Sequence, residues 1–160
     1  MEILKRALLL ERQGRAFYGH VAASTASPAV AKIFRVMASE EAKHEEYLST
    51  QFSQYAAHGR FAEEVPPGAP ADLTSDVLTQ EVRSQVSASS FEAAAISAAI
   101  EMENRAVRVY SDRAGATADA GERRLYEWLA QWERGHLAFL ARMDDELREE
   151  IWSQNGFWPF

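Results

Sequence analysis

The chain has 160 residues, with 17 Lys and Arg against 24 Asp and Glu, a net charge of −7 and no cysteine. This length accommodates one domain, and the acidic balance argues against binding to nucleic acid or to an anionic membrane. The lack of cysteine excludes disulfide scaffolds, thiolate zinc sites and iron–sulfur clusters. The charged first turns predict no signal peptide, and the absence of an apolar stretch of about 18 residues predicts no transmembrane helix, so we expect a cytoplasmic protein.

The first part of the chain predicts two helices joined by a short link. Apolar residues recur at helical spacing from about Glu2 to Ala23. Ser27 and Pro28 are typical of an N-cap followed by proline at the first helical position, and they begin a second helix that runs to near Gly59. Because the link is short, we expect an antiparallel helical hairpin over about residues 2–59.

The next segment, about residues 60–88, does not resemble a tight turn. It contains the proline-rich run 65–70 and a weakly helical stretch after it. This length favours a long crossover along the bundle. The chain ends in an aromatic tail over residues 153–160, which we expect to dock onto the bundle or onto a partner subunit.

Two further helices are predicted after the crossover. The capping box that starts at Ser89 begins a third helix, which runs to about Ala114. A second Asp-x-x-Glu box starts at Asp119 and begins a fourth helix, which runs to about Trp152. The sequence therefore predicts an all-α fold over residues 1–152, a four-helix bundle whose second antiparallel hairpin covers about 89–152.

A repeat relates the two hairpins. When residues 1–59 are laid over 93–151 with an offset of 92, acidic, histidine, tyrosine and capping positions coincide without a gap. The coincident pairs are Glu11 and Glu103, Tyr18 and Tyr110, Ser27 and Asp119, Phe34 and Tyr126, Glu41 and Glu133, His44 and His136, and Leu48 and Leu140. The chain therefore contains two copies of one hairpin, each with a Glu followed by Glu-x-x-His.

The repeated Glu and His residues predict a metal site. In each Glu-x-x-His the two side chains lie one turn apart on the same helix face, and the upstream Glu shares a stripe with apolar residues. Four carboxylates and two imidazoles in one bundle core are a ligand set for two divalent ions bridged by carboxylates. The same groups buried without metal would face desolvation and mutual repulsion. The predicted ligands are Glu11, Glu41, His44, Glu103, Glu133 and His136.

A solvated helix face is the alternative interpretation of each Glu-x-x-His. One such motif is a weak signal in a glutamate-rich chain, but two in register with paired Glu, Tyr and caps favour the metal site. Glu101 is an alternative ligand on the third helix. It cannot face the core together with Glu103, because two residues correspond to about 200° of helix rotation, and the repeat selects Glu103.

Other polar residues are assigned to the surface. The acids Glu40, Glu45 and Glu46 around the first motif predict a solvated face. For Glu40 the alternative is a position behind a metal ligand, where it would support that ligand. His20 and His58 have no counterpart in the repeat, so we expect both at the surface.

These motifs resemble the ferritin-like superfamily of diiron-carboxylate four-helix bundles, and within it the rubrerythrin-like proteins. The resemblance rests on residues 11–18 (ERQGRAFY), 40–44 (EEAKH), 101–103 (EME) and 132–136 (WERGH), and it covers the four helices. It implies a ferritin-like bundle that binds two divalent metal ions, most often iron, with zinc or manganese as alternatives. It also implies that Tyr18 and Tyr110 donate hydrogen bonds to ligand carboxylates; simple core aromatics are the alternative for both.

The chain departs from this family pattern in two ways. Rubrerythrins proper carry a rubredoxin-like module with four cysteines that delivers electrons, and this sequence has none, which implies an external electron donor. They also use an additional Glu on the third helix. The positions one turn from Glu103 are Ile100 and Ala106, so that ligand has no counterpart here.

The resemblance and the motifs together favour a non-haem diiron oxidoreductase in which Fe(II) reacts with O2 or peroxide. Ferritin-type iron sequestration with ferroxidase activity is one alternative. A bundle that holds zinc or manganese without turnover is another, because the ligand set accepts several divalent ions. We expect a homodimer or a larger homo-oligomer.

Overall fold

The computed structural model describes residues 2–62 and 91–155, which form four helices and no strand. The helices are α1 (Glu2–Ser24), α2 (Pro28–His58), α3 (Phe91–Ala116) and α4 (Ala120–Asn155). Helix α1 packs chiefly against α2, and α3 packs chiefly against α4, so the all-α bundle of two hairpins is confirmed. Beyond residue 62 the predicted crossover lies outside the described residues, as does the predicted tail beyond Asn155.

The link between α1 and α2 is closed by the predicted cap. The Ser27 side chain accepts a hydrogen bond from the Val30 backbone N–H at 3.2 Å, and Pro28 is the first residue of α2. At the other end of α2, Gly59 adopts φ 67°, a left-handed conformation, and its N–H donates to the Tyr55 carbonyl at 2.9 Å. Glycine suits this position because other residues adopt positive φ at a cost.

The link between α3 and α4 is held by the second predicted capping box. The Asp119 carboxylate accepts a hydrogen bond from the Glu122 backbone N–H at 2.7 Å. The Glu122 carboxylate accepts two bonds from the Arg113 guanidinium, both at 2.7 Å. This bidentate pair ties the end of α3 to the start of α4 and stiffens the hairpin.

The start of α3 is tied to the end of α1. The Thr25 hydroxyl donates to the Glu92 carboxylate at 2.6 Å. Ser89, with which the predicted capping box begins, lies outside the described residues, and α3 is described from Phe91 onward. The contact joins the two hairpins at one end of the bundle.

The core consists of two apolar clusters that the repeat relates to each other. One contains Tyr18, Val21, Ile33, Phe34, Met37, Ile96, Ala99, Phe139 and Leu140. The other contains Leu4, Ala7, Tyr47, Leu48, Tyr110, Leu125, Tyr126 and Leu129. Adding or subtracting 92 converts nearly every member of one cluster into a member of the other, for example Phe34 into Tyr126. The polar residues of the repeat lie between the two clusters along each helix.

No helix within residues 2–62 and 91–155 combines the length and the apolar character needed to cross a membrane.

The cap at Ser27 contributes measurable stability. Replacing Ser27 by alanine leaves the Val30 N–H without this partner, and we expect the free energy of unfolding to fall by about 1 kcal/mol. Chemical denaturation measures the change. Ser39→Ala is the matched control, because Ser39 is exposed inside α2 and alanine there favours the helix. Equal stability of the two variants would contradict the assignment of the cap.

Candidate metal centre

Each helix brings polar side chains to the middle of the bundle. Helices α1 and α3 each supply one Glu of the repeat, and α2 and α4 each supply one Glu-x-x-His. None of the six residues has more than 3% of its surface exposed: Glu11, Glu41, His44, Glu103, Glu133 and His136. The structure thus brings together all six residues that the sequence predicted as ligands.

The six side chains form two overlapping groups. Glu11, Glu41, His44 and Glu133 offer ligand atoms within 4.8 Å of one another, and so do Glu41, Glu103, Glu133 and His136. Glu41 and Glu133 belong to both groups. A carboxylate has two oxygens, so these two residues can each bind both of two neighbouring ions. The remaining Glu and His of each group would complete the coordination of one ion.

Both histidines turn Nδ1 toward the carboxylates. His44 Nδ1 lies 2.8 Å from Glu11 Oε2 and 3.1 Å from Glu133 Oε1. His136 Nδ1 lies 3.1 Å from Glu133 Oε2 and 3.4 Å from Glu41 Oε1. The two rings are stacked with their centroids 5.6 Å apart. The Nδ1 atoms are therefore the imidazole atoms that can bind metal in this arrangement.

Hydrogen bonds from the two repeat tyrosines join the two hairpins. The Tyr18 hydroxyl donates a hydrogen bond to Glu103, and the Tyr110 hydroxyl donates one to Glu11. Burial, together with the nearby carboxylates, raises the pKa of both tyrosines well above the usual value. Each hydroxyl therefore keeps its proton and fixes one carboxylate of the opposite hairpin.

The carboxylates divide into two kinds. Burial raises the pKa of Glu11 and Glu103 well above the usual value, and the charge of Glu133 raises it further. Burial acts in the same direction on Glu41 and Glu133. At Glu41 and Glu133, however, attraction to the two histidines or hydrogen bonds with them outweigh the effect of burial. The pKa of both carboxyls is therefore lowered. Glu41 and Glu133, the two shared residues, are the ones that favour the charged form.

Protons balance the charge of the metal-free cluster. Burial alone would lower the pKa of His44 and His136, but the surrounding carboxylates outweigh it and raise the pKa well above the usual value. The protonated form of both imidazoles and the charged form of Glu41 and Glu133 are therefore favoured together, so opposite charges lie next to each other. Two divalent cations would cancel the charge of four carboxylates equally well, so the donor set fits two such ions.

The neighbouring acids differ in their surroundings. Glu101 is exposed whereas Glu103 is buried, and the alternative third-helix ligand belongs to neither group of the cluster. Glu46 is exposed, and Glu45 accepts a hydrogen bond from Arg12 at 2.7 Å on the outer side of α2. Of the two interpretations of Glu40, the solvated face is excluded, because Glu40 is 2% exposed and accepts a hydrogen bond from Lys43 at 2.6 Å.

His20 and His58 are both exposed. They lie at the surface, as expected, and neither belongs to the two groups described above.

Two tryptophans beside the cluster were not predicted to contact it. The Trp132 and Trp128 rings lie 5.1 and 5.6 Å from the His44 ring, both edge-on. In the repeat their counterparts are Glu40 and Val36, so the comparison of the two halves contained no signal for them. Their spacing along α4 was compatible with any buried helix face.

A glycine also shapes the site. A Cβ atom at Gly14 would lie 3.2 Å from Glu41 Cδ and 3.4 Å from Glu41 Oε2. The distance to Cδ is shorter than ordinary van der Waals contact and the distance to Oε2 is at its lower limit, so a larger residue would press on the carboxylate. Gly14 therefore allows the Glu41 carboxylate to lie beside α1.

Replacing Gly14 by alanine tests this contact. The Glu41 carboxylate is held by both histidines and cannot move away freely, so we expect metal affinity to fall about tenfold. Titration with Co(II) measures the affinity. Gly19→Ala is the matched control on the same helix, because a Cβ there meets no atom within 4 Å. A tighter or unchanged affinity of Gly14→Ala relative to Gly19→Ala would contradict this role.

Comparison with known proteins agrees with this geometry. A family model described as Rubrerythrin matches residues 2–144. No curated protein and no solved structure matched the chain in the other two comparisons. Rubrerythrins are ferritin-like proteins that bind a diiron centre through carboxylates, and the buried Glu and His groups here can hold metal. The match covers all of the first three helices and most of α4, so the chain belongs to the rubrerythrin family.

Proposed function

We propose that the protein is a diiron oxidoreductase that oxidises Fe(II) with hydrogen peroxide or O2. The observation that carries this proposal is the pair of four-residue groups that share Glu41 and Glu133. Shared carboxylates bring two metal ions close enough to act on one small molecule. When bound, two Fe(II) ions supply one electron each, which together with two protons reduce hydrogen peroxide to two molecules of water.

In this proposal the protein contributes ligands and rigid positions. Glu11 and His44 would hold one ion, Glu103 and His136 would hold the other, and Glu41 and Glu133 would contribute to both. The hydroxyls of Tyr18 and Tyr110 hold the two unshared carboxylates in place. Because these bonds cross between the hairpins, they fix the distance between the two halves of the site.

In this proposal an electron donor outside these 160 residues reduces the oxidised centre, because the 160 residues contain no cysteine and thus no four-cysteine iron site. Assembly into a homodimer or larger homo-oligomer, and a cytoplasmic location, stay predictions.

The double variant Glu41→Ala, Glu133→Ala tests the proposed function. We expect it to lose binding of both iron ions and the peroxide consumption that depends on them, because each shared carboxylate serves both groups. Elemental analysis measures the iron, and anaerobic addition of peroxide to the Fe(II)-loaded protein measures its consumption. Glu46→Ala is the control, because Glu46 is an exposed acid on α2, two residues from the proposed ligand His44.

Two results would contradict the proposal. Wild-type protein that is fully loaded with iron but consumes no more peroxide than free Fe(II) would favour redox-inert metal binding. Iron uptake far beyond two ions per chain, in a particle of many copies on sizing chromatography, would favour sequestration.

A further inference from the structure

A cavity leads from the surface to the metal site between α1 and α3. Its volume is about 330 Å³, and it reaches the four carboxylates of the cluster, Glu11, Glu41, Glu103 and Glu133. Neither histidine belongs to its lining as described. The cluster therefore presents its carboxylates to one side of the bundle, and this side is open.

The opposite side, between α2 and α4, is closed by aromatic rings. Trp128 and Trp132 lie against His44 and against each other, with ring centroids 5.1 Å apart. Tyr47 of α2 packs against Trp128 at 4.8 Å. A small molecule approaching from this side would have to displace several packed rings, which costs far more than entering an existing cavity.

Small residues at equivalent positions of the repeat open the α1–α3 side. Gly14 on α1 and Ala106 on α3 both line the cavity, and they are 92 residues apart. Gly14 has no side chain and Ala106 has only a methyl group, so neither residue fills the gap between the helices. The outer part of the cavity is lined by longer side chains, among them Gln13, Met102 and Arg105.

The charge of the outer part of the cavity favours neutral or anionic solutes over cations. Arg105 and Arg108 line it together with Glu101, and all three residues are exposed. Two guanidinium groups against one carboxylate give this opening a positive balance in a chain whose net charge is −7. A neutral or anionic solute therefore meets less repulsion here than a bare cation does.

We propose that the gap between α1 and α3 is the entrance by which a small neutral or anionic oxygen species reaches the carboxylate cluster. Gln13, Ala106 and Met102 set the width of this entrance. The inference rests on the proposed function, since it assumes that metal ions occupy the cluster.

Azide binding to the Co(II)-loaded protein tests the entrance. Azide is a small anion, its arrival changes the visible absorption of cobalt, and it requires no electron transfer. In Gln13→Phe a ring replaces an exposed side chain at the opening, and we expect azide to bind about tenfold more slowly. Gln54→Phe is the matched control, because Gln54 is exposed on α2 and does not line the cavity.

Two further variants change the width from inside the gap. Ala106→Leu should slow azide binding as Gln13→Phe does, whereas Met102→Ala should speed it. Opposite effects from narrowing and widening are not expected of residues that only support the fold. At saturating Co(II) all variants should still take up the same amount of cobalt, because all six proposed ligands are kept. If Ala106→Leu alters the cobalt spectrum before azide is added, the substitution has disturbed the metal ligands. The azide rate of Gln13→Phe then tests the entrance.

The outcomes separate this inference from the proposed function. Equal azide rates in Gln13→Phe, Gln54→Phe and the wild type, all loaded with cobalt, would overturn the entrance and leave the proposed function intact. Slower azide binding in Gln13→Phe, with no iron-dependent peroxide consumption in the wild type, would support the entrance and contradict the oxidoreductase. A protein that takes up no cobalt would contradict both.

Discussion

The balance of charge inside the bundle is the constraint on which the rest of the structure depends. Four carboxylates lie in a core where a single unpaired charge is costly. They are tolerated because two imidazoles, two tyrosine hydroxyls and exchangeable positive charge surround them. Protons supply that charge in the metal-free protein, and divalent ions can supply it when bound. The same carboxylates can therefore accept protons or divalent ions.

The fold meets this constraint by doubling one hairpin. The two apolar clusters stabilise the bundle on either side of the polar residues, so the site interrupts the core without dividing it into separate domains. The crossed bonds from Tyr18 to Glu103 and from Tyr110 to Glu11 are the clearest consequence of the doubling. Each half of the chain positions a proposed ligand of the other half, so neither hairpin alone would form the site.

The repeat also explains how much could be predicted. Caps, helix number and the convergence of the six Glu and His residues follow from residue type and spacing, because each depends on local rules that both halves repeat. Features in which the halves differ could not be found in this way. Trp132 stands where the other half has Glu40, and both residues are buried although one is aromatic and the other acidic. The sequence alone could not decide whether the side between α1 and α3 is open, because small residues at Gly14 and Ala106 suit close helix packing as well as room for a small oxygen species.

The metal content of the protein, isolated from its own host under reducing conditions without added metal, tests the central claim most directly. Elemental analysis should find two divalent ions per chain in the wild type and none bound in the Glu41→Ala, Glu133→Ala variant. Iron as the main metal would agree with the family and with the proposed oxidoreductase. A folded wild-type protein that contains no metal, or a double variant that keeps both ions, would contradict the account.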